Sequence, residues 1–207
     1  MRVALLSAPE AIPAARERGA ELICLPHLSF SPYVAAERDR GGLEHAERPV
    51  SRSFREAAAL AGDAWLAASA YESEGEGVFY VTARLARGGS MVASYRQRHV
   101  EAAPGRYEQM FWSPGHDAFA VADTPLGRTA LLVGYDLRTP AAWAAVAERG
   151  AQVVLGGASE DEATRRVAAG MAAAYGMTVL IAGRSGSAAF DASGADLAPA
   201  DDTLFEL

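Results

Sequence analysis

Short apolar runs that alternate with alanine-rich stretches of helical period constrain the fold of this chain more than any other feature. Strands are predicted at residues 2–7, 21–26, 64–71, 78–86, 151–157 and 177–183, and the strand at 151–157 is expected to be buried. Helices are predicted at 54–62, at 140–149, and from Glu160 or Asp161 to a stop at Gly176. Strands and helices that alternate in this way favour an α/β fold built in layers.

The pattern is that of one unit. The chain has 207 residues, half of them apolar, which is enough to bury a substantial core. Residues 98–116 contain Pro104, Gly105, Pro114 and Gly115 and have a length typical of functional loops. Because no repeat or flexible linker interrupts the sequence, we expect a single domain over residues 1–207.

Composition argues against several kinds of partner. The net charge is −7, and all 19 basic residues are arginines that form no basic stripe, so a nucleic-acid partner is not expected. No apolar run approaches the roughly 18 residues of a membrane span. The opening residues, MRVALLSAPE, lack the long apolar stretch of a signal peptide. We therefore expect a cytoplasmic protein that binds a small molecule and neither nucleic acid nor membrane.

Metal and cofactor signatures are missing from the sequence. The single cysteine, Cys24, excludes an internal disulfide and a cysteine-built zinc site. The histidines do not have the spacing of zinc ligands: His27, His45, His99 and His116. The segment GRSGS (183–187) is neither a Walker-type loop nor a serine elbow in register. We expect neither a metal nor an organic cofactor.

Several ordered motifs resemble the nitrilase, or carbon–nitrogen hydrolase, superfamily. The principal ones are GAELICLPHLSFSPY (19–33), YRQRHV (95–100) and GRTALLVGYDLRTP (127–140). YEQMFWSPG (107–115) and ERGAQVVLGGAS (148–159) also match in kind and position. The resemblance covers nearly the whole chain. It implies a four-layer αββα sandwich, here shortened at the periphery, that usually dimerises through a helical face.

The residues at the matching catalytic positions differ from the superfamily pattern. Its members use a glutamate base, a lysine and a cysteine nucleophile on amides, nitriles or carbamoyl groups, and the positions here hold His27, Gln97 and Gly134. No shift of the alignment restores the lysine, because the chain contains none. Hydrolysis through an acyl-enzyme needs a nucleophile, a base and positive charge for the oxyanion. We therefore expect the cysteine-based mechanism to be lost.

Cys24 is not an obvious replacement nucleophile. Side chains alternate along a regular strand, so Cys24 should point away from the face that His27 shares with Ile23 and Leu25. A buried structural thiol is the expected state of this residue.

Glu108 matches the additional glutamate of the superfamily, which normally lies beside the lysine. Without the lysine, a buried Glu108 must be protonated or find another cation. The candidate cations are His27, Arg96, Arg98 and Arg138, although Glu108 could instead be a loop carboxylate that pairs with Arg106. We expect His99 to be a structural hydrogen-bonding residue, and Asp136 to cap the following helix or to pair with an arginine.

Two functions fit these residues. In the first, His27 and Glu108 carry out acid–base chemistry on a small metabolite without a covalent intermediate, by cyclisation, elimination, isomerisation or water-mediated hydrolysis. The expected substrate-binding residues are Gln97, Gly134, Tyr135, Tyr33 and Arg138. In the second, the chain is an inactive ligand-binding or partner subunit, as a homodimer or with an active homologue. An open pocket in which His27 bonds Glu108 favours the first function, and a pocket filled by side chains favours the second.

Overall fold

The computed structural model describes residues 1–158, 162–201 and 203–207, and it consists of two stacked β-sheets with helices on both outer faces. The strands are β1 (Arg2–Leu5), β2 (Leu22–Cys24), β3 (Trp65–Gly75), β4 (Val78–Arg87), β5 (Ser90–Arg96), β6 (Ala102–Ala103), β7 (Arg106–Tyr107), β8 (Val121–Thr124), β9 (Gly127–Val133), β10 (Val153–Gly157), β11 (Thr178–Ala182), β12 (Ala188–Phe190) and β13 (Leu204–Glu206). The helices are α1 (Ile12–Glu17), α2 (Arg52–Ala61), α3 (Pro140–Glu148) and α4 (Glu162–Tyr175).

Parallel strands lie at the centre of each sheet. The first sheet has the order β13-β1-β2-β3-β4-β5 and the second the order β12-β11-β10-β9-β8, with β6 and β7 forming a separate hairpin. Strands β1 to β3 run parallel, as do β9 to β11. The carboxyl ends of the two sets meet at one edge, where the His27 N–H donates to the Ala158 carbonyl at 3.4 Å. This is the edge at which open α/β sheets bind ligands.

Two apolar clusters hold the layers together. The smaller one lies between the first sheet and helices α1 and α2, where Phe54 and Ala57 pack with Ile23 and Leu66. The larger one fills the space between the sheets and continues beneath α3 and α4, with Trp143 fully buried. The order of layers is therefore α, β, β, α, which confirms the fold class predicted from the sequence.

Local signals place the helix ends largely where the sequence predicts them. The Ser51 hydroxyl accepts from the Phe54 N–H at 3.0 Å and caps α2. Helix α4 is followed by Gly176, whose positive φ of 65° suits glycine. The predicted start of α4 at residues 160 and 161 lies outside the described residues. Within the described part of the chain, no helix has the length and apolar character that crossing a membrane requires.

Candidate active site

Four buried residues meet where the parallel strands end. His27 lies three residues after β2, Gln97 follows β5, Gly134 follows β9, and Glu108 begins a short 3-10 turn after β7. The side chains of His27, Gln97 and Glu108 are exposed by only 2%, 0% and 2%. The fold thus brings together both residues predicted to be catalytic and two of those predicted to bind substrate.

Gln97 connects His27 to Glu108. His27 Nε2 lies 3.0 Å from Gln97 Oε1, and Gln97 Nε2 donates to Glu108 Oε2 at 3.0 Å and to the His99 carbonyl at 2.7 Å. Because an amide oxygen only accepts, the shared proton is on His27 Nε2. The other ring nitrogen, Nδ1, is then an acceptor, and it is buried without a partner among the described residues.

Neutral donors hold the Glu108 carboxylate. Tyr33 Oη donates to Oε1 at 3.0 Å, while Gln97 Nε2 and the Glu101 N–H, the latter at 2.9 Å, donate to Oε2. Burial raises the pKa of Glu108 to about 7, and these three hydrogen bonds oppose the rise. The carboxyl group is therefore partly protonated near neutral pH.

The cations suggested as partners of Glu108 contact other groups. Arg96 pairs with Glu74, Arg98 lies over the ring of Phe119, and both Arg138 and Arg106 pair with Glu101. His27 reaches Glu108 only through Gln97. Burial lowers the pKa of His27 to about 4, and the charges of Arg184 and Arg106 lower it further, while the hydrogen bond that His27 donates to Gln97 Oε1 opposes these effects. The imidazole is consequently neutral at physiological pH.

The turn at Gly134 has no room for a side chain. Its φ is +56°, and a Cβ atom added there would lie 2.9 Å from His27 Nε2 and 3.0 Å from both Gln97 Nε2 and Oε1. Contacts this short require the neighbouring atoms to move. The hydrogen-bonded side chains of His27 and Gln97 therefore occupy the space that a nucleophile on residue 134 would enter.

The remaining residues predicted to bind substrate divide into two groups. Tyr33 belongs to the cluster through its bond to Glu108, and its ring centre lies 6.2 Å from that of His27. Tyr135 and Arg138 form a separate pair, in which the guanidinium lies 5.5 Å from the ring centre. Arg138 Nη1 also lies 3.4 Å from Oε1 of Glu101. The backbone N–H of Glu101 contacts Glu108, so Glu101 lies between Arg138 and the cluster.

The prediction for Asp136 is wrong, because this fully buried carboxylate binds a histidine and a tyrosine. Oδ1 lies 2.6 Å from His99 Nδ1 and accepts from the His99 N–H at 2.8 Å, while Oδ2 accepts from Tyr95 Oη at 3.0 Å. Helix α3 has no side-chain cap. The spacing of four residues between Tyr95 and His99 is the sequence signal that points to this network. Its hydrogen bonds join the end of β5 to the end of β9 beside the site.

Cys24 is buried between the sheets. It is 2% exposed, and its Sγ donates to the Gly156 carbonyl at 3.3 Å. Burial raises the pKa of this thiol to about 12. Ile23 and Leu25 lie opposite Cys24, as predicted, and pack against the helices. The His27 ring, however, lies beside Tyr33 and Trp112, which belong to the same cluster as Cys24. The alternation argument fails for His27 because β2 ends at Cys24.

The larger cavities found among the described residues do not include the side chains of this cluster. Three of about 430 to 490 Å³ are lined by residues other than His27, Gln97, Glu108 and Gly134. In the described part of the chain, no group of three or more histidine, cysteine, aspartate or glutamate side chains could hold a metal ion.

Comparison with known proteins places this geometry in context. A model of the carbon–nitrogen hydrolase family matches residues 4–199. Citrullinase of Francisella tularensis is 26% identical over 145 residues, covering 68% of this chain and 50% of that protein. Omega-amidase NIT2 of Homo sapiens is 30% identical over 152 residues, covering 70% of this chain and 53% of that protein. The chain thus spans about half the length of the curated relatives it matches.

Solved structures agree on the fold. A carbon–nitrogen hydrolase from Helicobacter pylori G27 has a TM-score of 0.84 at 20% identity, covering 98% of this chain and 85% of that one. An amidase from Nesterenkonia sp. has a TM-score of 0.81 at 26% identity, covering 99% and 88%. In one mutant of the Nesterenkonia amidase, the acetamide moiety of fluoroacetamide is added covalently at the active site cysteine.

Proposed function

This chain belongs to the carbon–nitrogen hydrolase family, and we propose that it binds a ligand or partner without hydrolysing carbon–nitrogen bonds through a cysteine. The observation that supports this most directly is at Gly134. The position that resembles the family's nucleophile has no side chain, and a Cβ there would lie 2.9 Å from His27 Nε2. A covalent acyl-enzyme cannot form at a residue that lacks a nucleophile.

The surroundings of Gly134 support the same conclusion. Gln97 stands at the lysine position, and both of its amide hydrogens are engaged by His99 and Glu108. An oxyanion would therefore find neither positive charge nor a free donor on this residue, and loss of one such donor costs about 10² to 10³ in rate. The interlinked side chains, none of which carries a positive charge at neutral pH, resemble a packed core more than a site poised for acyl transfer.

Cys24 is a poor substitute for the missing nucleophile. The thiolate is the reactive form, and with a pKa of about 12 only on the order of one Cys24 thiol in 10⁵ is ionised at pH 7. Its hydrogen-bond partner is the Gly156 carbonyl, which stabilises the protonated thiol. Among the described residues, none of its hydrogen bonds is to His27, Gln97 or Glu108.

Covalent labelling tests the proposal. The protein is incubated with fluoroacetamide, with the mutant of the Nesterenkonia amidase that forms the adduct as positive control, and its intact mass is measured, while ammonia release is followed with butyramide. We expect no adduct and no ammonia above the buffer rate. An adduct present in the wild type and missing from Cys24→Ala would contradict the proposal, as would enzymatic ammonia release.

A second function, non-covalent acid–base catalysis, is supported by the separated pKa values of His27 and Glu108. At neutral pH the imidazole, with a pKa of about 4, offers a free Nδ1 lone pair, while Glu108, with a pKa of about 7, can supply a proton. Environments that push two pKa values apart are typical of acid and base assignments. The substrate would be a small metabolite, held by the polar groups of the cluster.

Untargeted mass spectrometry of metabolite mixtures tests this second function. Turnover should be present in the wild type, absent from His27→Ala, and unchanged in His45→Ala, which alters an exposed histidine. Activity that survives His27→Ala would exclude His27 as the base.

As an inactive subunit, by contrast, the protein would pair with itself or with an active homologue in the cytoplasm. Light scattering of the purified chain measures the self-association.

A further inference from the structure

A cleft between the carboxyl ends of β1 and β11 lies outside the His27 cluster. Its volume is about 430 Å³, within the range of small-molecule sites. Leu5 and Ser7 line it on one side and residues 183–189 on another. We call it the Arg184 cleft. Because it opens at the shared carboxyl edge of the parallel strands, it lies where α/β folds commonly bind ligands.

Arg184 brings a positive charge to this cleft. Its Nη2 donates to the Leu28 carbonyl at 2.5 Å and to the Ser31 carbonyl at 2.6 Å. Both acceptors are neutral, and no carboxylate among residues 1–158, 162–201 and 203–207 forms an ion pair with Arg184. The two carbonyls therefore hold the guanidinium in place while its charge remains available to an anion.

The other lining groups define the shape of the expected ligand. Arg165 is paired with Asp196, so the two arginines and one aspartate among the described lining residues carry a net charge of +1. Ala188, Leu197 and Pro199, which are partly or fully exposed, provide an accessible apolar surface. A second cavity that Arg184 lines contains Glu10 and Glu56, and this negative balance makes it less suitable for an anion.

We propose that the Arg184 cleft binds a small carboxylate with a short apolar body. The carboxylate accepts hydrogen bonds from Arg184, the hydroxyls of Ser185 and Ser187 lie along the same wall, and the hydrocarbon part covers the apolar surface. This proposal is independent of whether the His27 cluster is catalytic. Arg184 also holds the turn from Leu28 to Ser31, which directly follows His27. A ligand that binds Arg184 is therefore linked to that turn by the Arg184 side chain alone.

Butyrate and its neutral analogue butyramide provide a matched pair of probes for this site. We expect butyrate to raise the Tm saturably, by about 3 to 6 °C at ten times its Kd, and butyramide to leave it unchanged. Arg184→Gln should lose the butyrate response. Arg55→Gln, which removes an exposed arginine of α2, should retain it.

A second variant separates binding from folding, because Arg184 also supports a turn. Ser185→Trp leaves Arg184 in place and fills the mouth of the cleft from an exposed position. We expect this variant to keep the wild-type Tm without ligand and to lose the response to butyrate. The proposal is overturned if wild-type protein fails to respond to both butyrate and benzoate, if butyramide acts as strongly as butyrate, or if both variants respond like the wild type.

Discussion

Replacing Gly134 with alanine should destabilise the protein by about 2 to 5 kcal/mol. The backbone contributes about 1 to 2 kcal/mol of this, because a φ of +56° is unfavourable for a residue with a Cβ. The rest, about 1 to 3 kcal/mol, comes from overpacking, since the new methyl group would lie 2.9 Å from His27 Nε2 and 3.0 Å from the Gln97 amide.

Two comparisons separate these contributions. Gly176→Ala places a methyl group at a φ of +65° with nothing within 4 Å, so it should show only the backbone part. Adding His27→Ala to Gly134→Ala removes the imidazole from the crowded space. The double variant should therefore lose less free energy of unfolding than Gly134→Ala and His27→Ala lose together. The difference, which is the coupling energy, should be about 0.5 to 3 kcal/mol.

Equilibrium unfolding in urea, followed by tryptophan fluorescence, measures all four variants. Equal slopes with denaturant are needed for the comparison, because a changed slope indicates an altered unfolded or native state. If Gly134→Ala and Gly176→Ala lose the same stability, or if the effects of Gly134→Ala and His27→Ala simply add, then His27 does not fill the space beside residue 134, and the principal support for the proposed function is lost.

Two further predictions concern buried charges. The pKa of Glu108 is raised from 4.5 to about 7, so the folded state binds this proton more tightly than the unfolded state does. The protonated group stabilises the fold fully below pH 4.5, and the free energy of unfolding should fall by about 3 kcal/mol as the pH rises through 7. Glu108→Gln should abolish that slope in urea titrations, whereas an identical slope in both proteins would refute the assigned pKa. Arg84→Met should cost about 3 to 5 kcal/mol, because it leaves Glu72 buried without its partner at 2.6 Å. The exposed pair Arg52–Glu56 is the control, and Arg52→Gln should change stability by less than about 0.5 kcal/mol.

The sequence predicts the layers well because the signals are local. Apolar runs such as 151–157 and the helix stop at Gly176 each report on a few neighbouring residues, and alternating strands and helices have few layered solutions. The positions of the candidate site came from the resemblance of ordered motifs. Strand order then brings residues 27, 97 and 134 to one edge, whatever side chains they carry.

The connections within the site could not be predicted in the same way. The insertion of Gln97 between His27 and Glu108 depends on rotamers set by all three side chains. The direction of His27 was mispredicted because strand parity has no meaning once the strand has ended. Asp136 was assigned to neighbours in sequence, whereas its partners, Tyr95 and His99, come from the edge of the other sheet.

The crowded turn at Gly134 also restricts how this lineage can change. The side chain of a cysteine introduced there would clash with the imidazole of His27 and the amide of Gln97. The substitution would therefore destabilise the protein before it could give any activity. A route to thiol chemistry at this turn must first shorten or replace His27 and Gln97, with no catalytic benefit at either step. Laboratory selection for amidase activity that proceeds one substitution at a time should therefore stall here, whereas libraries that vary the three positions together can bypass the barrier.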